Sequence, residues 1–232
     1  MAGARSRWLL AFAAPAIAAS ALQPSDDLAF PFHRQIGEHH ISAELPIPSA
    51  MDAVLARADQ RLSTSAIAAP GLGSRIFLTN GGWRWRALAR ASVSAFAISR
   101  PGSELVIVNR SDIVRDLAFN GRKIGGVRPL SQVLAHEMAH GLLRRHFGLA
   151  AAQAAPAWKV EGYCDFVAGG GSLSDAEAAK LIAADTDHPA LPYFLGRKRV
   201  EAILARNGGS VDALFANDDP VIHEPKPQRA AN

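Results

Sequence analysis

Between Leu130 and Phe147 the chain reads LSQVLAHEMAHGLLRRHF. Val133, Leu134, Met138, Leu142 and Leu143 recur there at helical spacing, with Ser131 placed to cap the start and Gly148 to stop the end. Within this apolar helix stand His136, Glu137 and His140. Residues four apart share a helix face, so the two imidazoles project together, while Glu137 is offset by roughly 100°. Two histidines flanking a buried glutamate are costly without a partner. The H-E-x-x-H pattern on a helix supplies one, a metal ion held by both rings, and imidazole and carboxylate ligands suit zinc. The fold must therefore bury a helix that carries its own candidate metal ligands.

Two histidines leave zinc short of a third protein ligand. His146 follows His140 at the spacing H-E-x-x-H-x-x-G-x-x-H, but Leu143 occupies the glycine position at which that helix must break. No methionine follows Met138 to form a Met-turn. On an unbroken helix His146 points roughly 120° away from His140. With Arg144 and Arg145 it suits the negative end of the helix dipole. The other candidate is Glu161, on the next predicted helix in WKVEGYCD. Glu161 and Asp165 are like charges at i,i+4 and repel as a solvated pair, so a cation or donor between them is the better account.

Here the chain resembles the gluzincins, the thermolysin-like and aminopeptidase-like zinc peptidases, over roughly residues 75–206. Trp158-x-x-Glu161-Gly162-Tyr163 looks like the Trp-x-x-Glu-Gly-Phe segment of the aminopeptidase branch, and Asp165 matches the aspartate of the thermolysin-like members. The resemblance implies an α+β, zincin-like fold, in which a small mixed sheet and an active-site helix precede a helical C-terminal half. It implies Zn2+ on His136, His140 and Glu161, and Asp165 bonded to the ring N–H of His136, which sets tautomer and orientation. Ser94 to Ile98 becomes an edge strand on which a peptide substrate adds. The oxyanion donor comes from a Tyr or His after the third ligand: Tyr193 is chosen over His188 and His223. The Gly-x-Met-Glu-Asn segment that binds a free N-terminus in the aminopeptidase branch is missing, which favours an endopeptidase. The expected reaction is hydrolysis of peptide bonds by a zinc-bound water, with Glu137 as general base. The alternative is a non-catalytic zinc-binding module on the same fold, against which Glu137 argues, since a structural site needs no base.

Around this core, residues 1–21 have the layout of a signal peptide: Arg5 and Arg7, an apolar run, then Ala19-Ser20-Ala21. Export to the periplasm or medium follows, with membrane contact only if the segment is retained. The 232 residues then divide into that leader, one domain over 22–217 and a flexible tail over 218–232. The single cysteine, Cys164, excludes an intrachain disulfide and reads as a small packed residue. A net charge of +4 is too small to imply nucleic-acid binding, so Trp83-Arg84-Trp85-Arg86 is read as a hairpin flank with its arginines in water. The expected elements are strands at 38–45, 75–79, 92–98 and 105–109, and helices at 49–62, 130–147, 157–168, 174–184 and 193–206. A low-complexity linker covers 149–156. Strands first and helices after argue α+β. Oligomeric state is not legible.

Overall fold

A computed structural model of the chain describes residues 30–216. The expected leader, the expected tail and His223 lie outside them. The described chain is a mixed α+β fold.

Five strands form the main sheet: β1 (Phe32–Ile36), β2 (His39–Ala43), β3 (Arg75–Leu78), β4 (Ala97–Arg100) and β5 (Leu105–Val108), in the order β1-β2-β3-β5-β4. The inner pairs β2–β3 and β3–β5 are parallel; the outer pairs β1–β2 and β4–β5 are antiparallel. Strands buried on both faces need continuous apolar runs, and Ile76-Phe77-Leu78 and Leu105-Val106-Ile107-Val108 supply them. Ile76, Leu78, Val106 and Val108 face the main helical layer. Phe77, Leu105 and Ile107 face the other way, onto Phe30, Trp85 and Ala89.

The main helical layer begins with α1 (Ala50–Ser63), whose buried stripe of Met51, Val54, Leu55, Ala58 and Leu62 has helical spacing. It packs against α3 (Leu130–Phe147). Beyond α3, α5 (Ala157–Val167) crosses α7 (Leu191–Arg206). The crossing is close because both helices place a glycine there. A Cβ on Gly162 would lie 2.6 Å from the Gly196 carbonyl, and one on Gly196 would lie 2.9 Å from the Trp158 oxygen. Shorter helices complete the chain: α2 (Trp83–Ala89), α4 (Leu149–Ala154), α6 (Asp175–Ala183) and α8 (Val211–Ala216). At α6, Ser174 and Glu177 form the capping box that their spacing predicts.

A second, three-stranded antiparallel sheet is made by β6 (Arg110–Asp112), β7 (Leu117–Phe119) and β8 (Val127–Pro129). Its strands are only three residues long and one of them is wholly polar, so no alternation marks them in the sequence. Pro129 leads straight into α3, and Asp116, between β6 and β7, caps that helix. Its carboxylate accepts from the Ser131 backbone N–H at 2.7 Å and from Ser131 Oγ at 2.8 Å, and its own carbonyl accepts from the Leu130 N–H. Ser131 is thus the capped residue and not the cap, a long-range exchange invisible to local spacing.

Other expectations shift. Trp83–Arg86 is helical and not a hairpin flank. The two-residue alternation stops at the apolar run Ala87-Leu88-Ala89, and Trp85 and Ala89, four apart, are the pair buried against the sheet. Trp83 stays 68% exposed, with the Arg84 guanidinium over its ring. The strand expected over 92–98 starts only at Ala97, after a 3-10 turn at Arg90–Ser92. Residues 149–154 are a helix where a linker was expected. Residues 32–36 pair with β2 where an irregular lead-in was expected, the turn at Gly37 carrying a φ of 55°. No helix of the described residues is long and apolar enough to cross a membrane.

Candidate metal centre

Helices α3 and α5 bring His136, His140 and Glu161 together. One ligand atom from each lies within 4.8 Å of the others. His136 Nε2 stands 3.3 Å from Glu161 Oε2, and His140 Nε2 stands 3.8 Å from Glu161 Oε1. The two imidazoles sit nearly at right angles, 77° between planes. Tetrahedral zinc with bonds of about 2.0–2.1 Å holds its donors roughly 3.3 Å apart. The donor spacing and the His2Glu set are compatible with a metal ion. His146 is remote from this group; its Nε2 bonds Asp212 of α8 at 2.7 Å.

Asp165, one turn beyond Glu161 and 1% exposed, has Oδ1 at 2.8 Å from His136 Nδ1. The ring donates there from Nδ1, which leaves Nε2 facing Glu161 and the metal position. Arg128 of β8 donates to the same Asp165 oxygen at 3.1 Å.

The electrostatics follow from burial and these neighbours. Burial alone would depress His136, but the Asp165 charge and the bonds to Asp165 and Glu161 outweigh it and push the ring up to about 10. Burial wins at His140, whose ring is held below its ordinary value despite Glu161. For Glu161, burial opposes ionisation, but His140 and His136 pull the carboxyl below the usual range. Asp165 is lowered likewise, by His136 and then Arg128, against its own desolvation. The Cys164 thiol, fully buried beside these carboxylates, is driven well up, first by desolvation and then by Glu161, Glu137 and Asp165. Such a thiol is an inert core group.

Glu137 is 8% exposed, and its carboxylate makes no hydrogen bond or ion pair among the described residues. Tyr193, in the first turn of α7, is 45% exposed, and its hydroxyl has no hydrogen-bond partner among the described residues. Its ionisation is pushed up, first by burial and then by the charges of Glu161, Asp165 and Glu137. His188 is used locally, its Nδ1 accepting from the Ala190 N–H at 3.2 Å.

β4 is the edge of the main sheet and packs beside α3. Ser94, just before it, accepts from Arg122 at the tip of the β7–β8 hairpin, at 3.2 Å. Arg122 and Arg128 went unread in the sequence. Both come from a segment without periodicity, and neither stands in a motif with the residues it meets.

Comparison of the chain with protein-family models, with curated proteins and with solved structures returns no match.

Proposed function

We propose that the protein is an exported zinc-dependent endopeptidase of the gluzincin type. The observation that carries this reading is the convergence of His136, His140 and Glu161 from two helices, with an unpaired Glu137 beside them. His136, His140 and Glu161 hold the ion, and Asp165 orients His136. When bound, zinc supplies Lewis acidity, which brings the pKa of water toward ~7 and polarises a carbonyl.

Glu137 takes a proton from the attacking water as its oxygen bonds the scissile carbon. The same carboxyl returns that proton to the amide nitrogen as the C–N bond breaks, releasing an amine and a carboxylate. Tyr193, its ionisation pushed up by partial desolvation and by the nearby carboxylates, donates to the oxyanion. A peptide substrate pairs its backbone with the outer edge of β4, beside α3.

The test combines metal analysis with cleavage of a peptide library. Wild type is expected to carry about one zinc and to cleave internal peptide bonds. Glu137→Gln should keep the zinc and lose activity by ~10²–10⁴-fold. Glu161→Ala should lose the zinc, whereas His146→Ala should keep it. Zinc bound without cleavage of any peptide would make the protein a non-catalytic zinc-binding module.

A further inference from the structure

We infer that Arg128 is a positioning residue of the metal centre, holding Asp165 so that Asp165 can hold His136; this rests on the metal-binding reading above. Arg128 is 7% exposed and comes from β8 in the second sheet, whereas the candidate metal ligands stand on α3 and α5. Its Nη2 donates to Asp165 Oδ1 at 3.1 Å and to the Gly170 carbonyl at 2.6 Å. That same Oδ1 accepts the Nδ1–H of His136 at 2.8 Å. One carboxylate oxygen is therefore fixed between a guanidinium and the imidazole that faces the metal position.

The surroundings leave this carboxylate and its guanidinium partner little room. The Phe96 ring lies 5.9 Å from the guanidinium carbon. On the far side the chain passes so close that a Cβ on Gly171 would sit 2.6 Å from Asp165 Oδ2. Stability alone does not account for the arginine. A buried guanidinium loses hydration, and among the described residues its buried Nε makes no hydrogen bond. A well-packed apolar residue at 128 is a cheaper way to fill that space. What it would not provide is a second donor that selects one rotamer of Asp165, and through it one orientation of His136. Carboxylates behind metal-binding histidines typically change metal affinity 10–100-fold when removed; the same lever is assigned here one residue further out.

The test measures zinc affinity of the full chain by competition with a chromophoric chelator, together with Tm of the metal-free protein and the visible spectrum of its Co2+ form. Arg128→Met should weaken zinc binding by about 10–100-fold and alter the Co2+ spectrum. Arg128→Lys, which restores a donor, should recover part of both. Asp165→Asn should weaken binding too, and adding Arg128→Met to it should cost little more, because the two act in series. If Arg128→Met does not fold, Arg128→Gln replaces it, alone and combined with Asp165→Asn, and the same outcomes decide. Wild-type affinity in Arg128→Lys and Arg128→Met, or fully additive losses in the double variant, overturns the inference. A wild type that binds neither Zn2+ nor Co2+ overturns the metal reading itself, and is recognised before any variant is made.

Discussion

His136 carries two opposite demands. In the metal-free protein its ring is pushed up to about 10, burial being outweighed by Asp165 and Glu161, so it holds a proton on each nitrogen near neutrality. The sign follows from the shift. A raised histidine contributes stability that is complete below its ordinary value of 6.5 and is lost as pH climbs toward about 10. Zinc requires a bare Nε2, so binding releases that proton, and apparent zinc affinity should rise with pH across the same interval. Titration calorimetry at pH 6, 7 and 8, in buffers of different ionisation enthalpy, should show tighter binding at higher pH and about one proton released. A pH-independent affinity would mean that zinc displaces no proton from His136 in this interval. At Tyr193, replacement by Phe should lower kcat by ~10²–10³ while KM and zinc content hold. A fall in KM-dependent terms alone would make Tyr193 a packing or substrate-contact residue.

Among the elements, the candidate metal site depends on two joints. One is the crossing of α5 and α7, where Gly162 and Gly196 leave no space for a methyl group. Gly162→Ala should force the helices apart and cost about 1–3 kcal/mol of stability, read as a lower denaturant midpoint. Because Glu161 is the preceding residue, zinc affinity should fall with it. Unchanged affinity would mean that α5 adjusts without moving Glu161. The other joint is the start of α3, capped by Asp116 from the second sheet and steadied by the Arg57–Asp116 ion pair at 3.1 Å. Asp116→Ala should cost about 1–2 kcal/mol, within the range of lost helix caps. Helices and sheet were unequally legible at this scale. α1 and α3 show themselves through apolar spacing that their burial repeats. β6 to β8 do not, because strands of three residues carry too few positions for a period.

Taken whole, the molecule is a mixed sheet covered on one face by α2 and on the other by a helical layer, with the candidate site where that layer meets the small second sheet. A metal bound there ties α3 to α5 and opposes unfolding by mass action. Free zinc at 100 times its Kd should add about 2.7 kcal/mol, which for a domain of this size raises Tm by about 5–11 °C. Calorimetry with zinc, and again after EDTA, checks this; the shift should also be larger at pH 8 than at pH 6. No change of Tm on chelation would separate the fold from the metal. The sole cysteine is buried at 0% exposure, so this stabilisation should be indifferent to reducing agents that spare the metal.

Read alone, the sequence determined which residues can ligate a metal: the spacing of His136 and His140 on one helical face, and Glu161 with Asp165 one turn apart on another. Such pairs are local, and a helix's geometry relates residues four apart whatever the rest of the chain does. Only the tertiary structure decided that the two faces meet, that Asp165 turns inward, and that His146 turns away to Asp212. It alone brought in Arg128 and Asp116, which reach α5 and α3 from a distant sheet. The reason is physical. A buried ion pair or a borrowed helix cap is set by which surfaces the core presses together, and no short-range period in the chain records that choice.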